Sequence, residues 1–115
     1  MAPTPTSLAD LNKGLRVLVT AGAAGIGRAI AETMLNAGAR VHVCDISEPA
    51  LRKLRKSRPE ISSSRADVSK ESDVEALFAE TKRTLGGLDV LVNNAGIAGP
   101  TGPIEEMSPE DWRRT

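Results

Sequence analysis

The reading of the fold turns on one stretch: Arg16-Val-Leu-Val-Thr20, then Ala21-Gly-Ala-Ala-Gly-Ile-Gly27, then an apolar pattern that runs to Gly38. Arg16 to Thr20 is a short β-branched run and predicts a strand. Ile26, Ile30, Met34 and Ala37 recur at helix spacing, and Gly38 is placed to end that helix as its C′ residue. The glycines between strand and helix let the backbone turn sharply and approach a pyrophosphate, whose charge would sit at the positive end of the following helix. Glycines also serve as plain turn residues. A strand before and a helix after favour the phosphate.

Working outward, the alternation continues. Arg40-Val-His-Val-Cys44 reads as a second strand, and Ser47-Glu-Pro-Ala-Leu51 starts a second helix with Ser47 as N-cap and Pro49 in its first turn. Ile61-Ser-Ser-Ser-Arg-Ala66 has little apolar content and is placed as a third strand mainly because two helices need a return between them. Ser72-Asp-Val-Glu75 fits a capping box. Val74, Leu77, Phe78, Thr81 and Leu85 form one face of that third helix, and Gly86-Gly87 ends it. Leu88-Asp-Val-Leu-Val92 is a fourth strand, and Ser108-Pro-Glu-Asp111 looks like the cap of a fourth helix. Strands joined through helices by short connections give a parallel sheet with right-handed crossovers, so the fold class is α/β.

Three further segments fall at strand ends on the same edge as the glycine loop. Asp45 ends the second strand 18 residues beyond Gly27, close to the position of an acid that bonds adenine ribose hydroxyls. The bland alternative is a strand-end Asp capping the next turn. A carboxylate facing the ribose also repels a 2′-phosphate, by roughly 4 kcal/mol at about 4 Å and an effective dielectric near 20. The residue after it, Ile46, is not basic, so NAD is favoured over NADP. Asp67-Val68 follows the third strand and is a candidate for the adenine amino group, or simply a helix-entry loop. Asn93-Asn-Ala-Gly96 follows the fourth. Ligands of open parallel sheets bind outside these carboxyl ends, beside the point where strand order reverses.

Composition removes several other chemistries. The 115 residues carry 15 Lys+Arg against 15 Asp+Glu, with 40% hydrophobic and 26% charged residues, which is globular rather than disordered. Balanced charge gives no reason to expect a nucleic acid or an anionic membrane as partner. One Phe, one Trp and no Tyr exclude a phenol as acid, base or nucleophile. Cys44 is alone, so neither an internal disulfide nor paired-Cys zinc spacing is available. No signal peptide and no membrane-length apolar run are visible, and the expected compartment is the cytoplasm. Residues 1–12, rich in Pro, Thr and Ser, read as a flexible lead-in. The basic run from Arg52 to Arg58 reads as a solvated helix face over buried Leu51 and Leu54. His42 and Cys44 read as buried packing residues, and Phe78 and Trp112 as core and docking residues.

Taken together, Thr20 to Gly27, Asp45, Asp67-Val68 and Asn93 to Gly96 resemble the N-terminal half of a short-chain dehydrogenase/reductase, over nearly the whole chain from about Gly14. The resemblance implies a partial Rossmann-type doubly wound sheet in residues 13–115, of about four strands in the order 3-2-1-4 with three to four helices. It implies that Gly22, Gly25, Ile26 and Gly27 surround the pyrophosphate of NAD, that Asp45 with Ile46 takes the adenine ribose, and that Asp67 and Val68 take the adenine. Asn94, Ala95 and Gly96 would lie near the nicotinamide ribose. One departure is visible: the family usually has Gly directly after the Thr, whereas this chain has Ala21 and then Gly22, so the turn is open to a shift of one peptide unit. The family's catalytic Ser and Tyr-x-x-x-Lys match nothing here. No catalytic residue is therefore assigned, no metal site is expected, and the chain is expected to hold NAD without turning over an alcohol or ketone. A non-catalytic dinucleotide-binding or interaction module, and a fragment that does not fold alone, are the alternatives. The fourth strand would leave an apolar edge open to self-association.

Overall fold

The computed structural model describes residues 13–115. The lead-in expected over residues 1–12 lies outside the described residues. Four strands, β1 (Arg16–Thr20), β2 (Arg40–Asp45), β3 (Ser62–Arg65) and β4 (Val90–Val92), alternate with helices α1 (Gly25–Asn36), α2 (Glu48–Ser57) and α3 (Glu71–Leu85). A single 3-10 turn, Ile104–Glu106, and a short helix α4, Pro109–Arg114, follow β4. Every strand pairing is parallel and the sheet order is β3-β2-β1-β4, as the resemblance implies.

Alternation along the strands builds a core on each face of the sheet. Val17, Val19, Val41 and Val43 pack with Ala31 of α1 and with Leu51 and Leu54 of α2, while Leu18, Cys44 and Ala66 pack with Leu77 of α3. Covering both faces is what makes these strands near-continuous apolar runs. Complete burial of a side chain such as Leu51 or Leu54 contributes roughly 1.5–3 kcal/mol. Arg52, Lys53, Arg55 and Lys56 lie on the exposed side of α2, so its basic run is a solvated face. Ser47 caps α2 by accepting the Ala50 N–H at 3.2 Å, and Ser108 does the same for α4 with Asp111 at 3.1 Å.

Three expectations about helix faces and starts need correction. Ile26 is 76% exposed; the inner stripe of α1 is Gly27 and Ala31, with Ile30, Met34 and Leu35 partly buried, because small residues let the helix sit close on β1. The capping box at Ser72 is not formed. Helix α3 starts at Glu71 with Lys70 as N-cap and no side-chain cap, and Asp73 instead accepts the Asp67 N–H at 2.9 Å, fastening the loop after β3. Phe78 is not core: Leu77, Thr81 and Leu85 take the buried stripe, and Phe78 lies 40% exposed in a shallow groove with Val74 and Leu91 beside the flank of β4 that pairs with no other strand among the described residues. Trp112 is likewise 64% exposed.

The third strand, poor in apolar residues, has a specific partner. His42 on β2 is 1% exposed, with Nδ1 2.6 Å from Ser62 Oγ and Nε2 2.7 Å from Ser64 Oγ. The serines that weaken the strand signal thus satisfy a buried imidazole.

At the opposite end of the sheet from the glycine loop, arginines at the starts of β1 and β2 hold the end of α3. Arg16 pairs with Asp89 through two contacts of 2.9 Å, Nε to Oδ2 and Nη2 to Oδ1, and also donates from Nη1 to the Gly86 carbonyl at 3.1 Å. Arg40 donates to the carbonyls of Leu85 at 2.9 Å and Thr84 at 3.2 Å. The hydrogen bonds from Arg16, first from its side chain and then from its backbone N–H, push the Asp89 carboxyl down to about 2 from an ordinary 3.8. A depressed folded value means the contribution is present above about pH 3.8 and lost as pH falls through about 2. Acid titration followed by circular dichroism should therefore show Asp89→Asn flattening the parent's stability loss in that window. Superimposable curves would show that the pair contributes nothing there.

Candidate functional site

Because all four strands are parallel, their carboxyl ends share one edge. Four connections leave it: Ala21 to Ala24 after β1, Ile46 and Ser47 after β2, Ala66 to Lys70 after β3, and Asn93 onward after β4. The strand order reverses between β1 and β4, so the loops after these two strands flank the crevice.

The glycine loop keeps a left-handed turn directly after Thr20, and an alanine makes it: Ala21 has φ +51°. An L-residue there carries roughly 1–2 kcal/mol of steric strain. Gly22 is buried against β2. Its N–H donates to the Cys44 carbonyl at 3.0 Å, and a Cβ on it would lie 2.6 Å from Val43 Cγ1. Gly25 has φ +58° and open space where a Cβ would stand, so its backbone is available to an incoming group. Gly27 permits close packing: a Cβ would clash with the Ala21 carbonyl oxygen and lie 2.6 Å from Asn94 Nδ2.

The first turn of α1 differs from those of the other described helices. Its N-cap, Ala24, supplies no side-chain acceptor, and no acidic residue stands in the first turn. Helix α2 has Ser47 and Glu48, α3 has Glu71 and Asp73, and α4 has Ser108, Glu110 and Asp111. The N–H groups at the start of α1 and the positive end of its dipole are therefore left for an anion.

Asp45 joins the loop to β2. Its Oδ2 accepts the Ala23 N–H at 3.1 Å and its Oδ1 accepts the Ser47 N–H at 3.0 Å. Each carboxylate oxygen has a second lone-pair direction, so both retain acceptor capacity. Ile46, 57% exposed, stands beside it. Asp67 Oδ1 accepts both the hydroxyl (2.6 Å) and the backbone N–H (3.0 Å) of Ser69, and these bonds hold its carboxyl below the ordinary range. Asp67 is thus a loop former, while its Oδ2 accepts no hydrogen bond among the described residues.

The loop after β4 is fastened to the glycine loop through a residue that sequence reasoning passed over. Thr20 Oγ1 accepts the backbone N–H groups of Asn94 at 3.0 Å and Ala95 at 2.9 Å, and donates to the Val92 carbonyl at 3.3 Å. The side chain of Asn94 points the same way, its Nδ2 donating to the carbonyls of Thr20 at 3.2 Å and Ala21 at 3.3 Å. The signal for Thr20 was a polar residue closing an otherwise apolar strand. Its own burial, at 7% exposed, requires such partners.

These segments border a cleft of about 460 Å³ whose lining includes Ala21, Asp45, Ile46, Asp67, Val68 and Gly96. Cys44 lies on its floor. Burial pushes that thiol up, which favours its neutral form. Among the described residues, no helix is long and apolar enough to cross a membrane.

Comparison with known proteins agrees with this geometry. A family profile described as short chain dehydrogenase matches residues 15–115. The chain is 37% identical over 105 residues to 3beta-hydroxysteroid dehydrogenase 2 of Eggerthella lenta, covering 88% of this chain and 40% of that protein. It is 40% identical over 100 residues to the L-fucose dehydrogenase of Oryctolagus cuniculus, covering 87% of this chain and 35% of the relative. A crystal structure of a short chain dehydrogenase from Mycobacterium smegmatis superposes with a TM-score of 0.79 at 39% identity, over 90% of this chain and 45% of that one. The chain thus spans less than half the length of these relatives. With the sheet order, the glycine loop and the family match in agreement, the chain belongs to the short-chain dehydrogenase family.

Proposed function

We propose that residues 13–115 form the NAD(H)-binding portion of an oxidoreductase that moves a hydride between the nicotinamide and a secondary alcohol or ketone. The observation that carries this reading is the placement of Asp45. A carboxylate with spare acceptor capacity is bonded to the loop, at Ala23, that leads into an uncapped helix start favouring an anion. Gly25, Ile26 and Gly27 would hold the pyrophosphate, with Gly22 setting the loop against β2. Asp45, with Ile46 beside it, would take the adenine ribose hydroxyls, and Asp67 and Val68 the adenine. Asn94, Ala95 and Gly96 would border the nicotinamide ribose, Asn94 acting through its hold on Ala21. The bound cofactor would supply the hydride chemistry. The protein's residues here bind, orient and exclude the 2′-phosphate, and with no tyrosine among the 115 residues they are not expected to turn over unaided.

Calorimetric titration tests the assignment. The parent should bind NAD more tightly than NADP. Asp45→Ala should lose about tenfold to a hundredfold in NAD affinity, since hydrogen bonds to a charged group contribute about 1.5–3 kcal/mol. Its preference for NAD over NADP should shrink as well. Equal NAD affinity in variant and parent, or no binding by folded parent, would overturn the reading.

Among the described residues the outer edge of β4 is unpaired, and Leu91 and Phe78 beside it are 41% and 40% exposed, which supports self-association along this strand. Size-exclusion chromatography should show a concentration-dependent dimer that Leu91→Lys weakens. A monomer at every concentration would end this part of the proposal.

A further inference from the structure

The chain has one histidine, buried as expected, and it also joins two strands. Ser62 Oγ also donates to the Val41 carbonyl at 3.4 Å. With its proton used there, Ser62 is an acceptor for Nδ1–H of His42, which leaves Nε2 as the acceptor of the Ser64 hydroxyl. The arrangement is closed for a neutral ring. A second proton would turn Nε2 into a donor facing Ser64, whose own hydroxyl proton would then need another acceptor, and it would place a cation in a site with almost no access to water. The charged groups that face the ring come from α3. They are Glu80 and Arg83, already paired with each other at 2.6 Å, so Glu80 offsets a ring charge only in part and Arg83 opposes it.

The strand fastened in this way is the sheet edge. Among the described residues β3 pairs only with β2, over the register His42–Ser62 to Asp45–Arg65. Directly beyond it, the Ala66 N–H donates to the Asp45 carbonyl at 3.1 Å, and Asp67 and Val68 form one wall of the cleft. We propose that His42 is a pH-sensitive clasp: with a neutral ring it holds edge strand β3 to β2 through Ser62 and Ser64, and on protonation it releases the strand together with the Ala66–Val68 wall. The strand release stands on the geometry alone. Its effect on affinity rests on the reading of that wall as the adenine end of a dinucleotide site.

Burial lowers the basicity of His42 below its ordinary value. The unfolded chain therefore takes up this proton near pH 6.5 while the clasp resists it, and the stability of β3 falls as pH drops below that value. Hydrogen exchange and NMR on the full chain test the clasp without ligand. As the only imidazole in the chain, the ring reports its own titration. Expected are a ring midpoint below 6.5 and a loss of protection at Ser62 to Ala66 of about tenfold per pH unit from about 6.5 down to that midpoint, levelling off below it, with Val17 to Val19 unchanged. His42→Gln, which keeps a donor and an acceptor without titrating, should hold β3 protection constant from about pH 7.5 to about pH 5.5. Should that variant not fold, the parent decides: its loss of protection at β3 should begin near pH 6.5 and level off at the ring's midpoint. Unchanged protection at β3 through the ring's titration, or the same loss in a folded His42→Gln, would overturn the clasp. NAD affinity, first established at about pH 7.5, should fall over the same range in the parent only. Absence of binding at the higher pH counts against the cofactor reading, and unequal protection at β3 still reads the clasp.

Discussion

Gly27→Ala is expected to destabilise the chain by roughly 2–3 kcal/mol and to remove dinucleotide binding, although alanine is the better helix former by about 1 kcal/mol. The new methyl group would meet the Ala21 carbonyl oxygen and would lie 2.9 Å from the Ala21 carbonyl carbon and 2.6 Å from Asn94 Nδ2. Two of these neighbours are backbone atoms of a loop already in a strained left-handed turn, and the third is the amide that fixes that loop. Nothing there yields cheaply. The helix must back away from β1, which opens the contact made by Ala31, or the loop must leave Asn94. Thermal unfolding should show a midpoint lowered by roughly 10 °C or more for a chain of this size. Gly25→Ala is the contrasting case, because its methyl would enter open space and only the φ of +58° resists it. That variant should lose roughly 1 kcal/mol and still lose affinity, since Gly25 stands where the pyrophosphate would approach. If Gly27→Ala unfolds with the parent, α1 does not sit this close to the loop and the packing described above is wrong.

The elements that the sequence located well are those whose signal is local. Parallel α/β order, the Ser47 and Ser108 caps and the left-handed end of α3 at Gly86 each follow from a few adjacent residues. What could not be read there depends on distant partners. Ser62 to Ser64 look unlike a buried strand until His42 is seen across the register, and Asp73 looks like a capping-box neighbour until it takes the Asp67 N–H. Leu88 and Asp89 extend an apolar-looking strand in sequence, yet Asp89 is held by Arg16 and pairing starts only at Val90. The same limit applied to the site. Glycine spacing located the loop, but which glycine serves packing and which lies open followed only from Val43 and Asn94, residues on other strands and loops. Periodicity placed Ile26 and Phe78 inward because it assumes that a helix is covered along its whole length. Both sit where cover ends, Ile26 at the loop edge of the sheet and Phe78 beside the free flank of β4.

Thr20→Val should be the other costly change, and it separates a structural hydroxyl from a merely buried side chain. Valine matches threonine in shape, so the core around β1 keeps its packing, but the N–H groups of Asn94 and Ala95 lose their shared acceptor and the Val92 carbonyl loses a donor. An unsatisfied buried donor costs about 1–3 kcal/mol. With Asn94 and Ala95 only half-buried, water offsets part of this, and a combined loss of about 2–3 kcal/mol is expected. Urea denaturation at constant m-value measures it. Thr20→Ser keeps the hydroxyl and removes one methyl group, so it should lose only about 1 kcal/mol. Amide resonances of Asn94 and Ala95 should move in the valine variant and stay near their parent positions in the serine one. NAD affinity should follow the amides rather than the stability, because the loop after β4 can present Asn94 to Ala21 only while Thr20 holds it. Equal stability and equal amide shifts in the two variants would mean that the hydroxyl is a bystander, and that the crevice between β1 and β4 is shaped by the backbone alone.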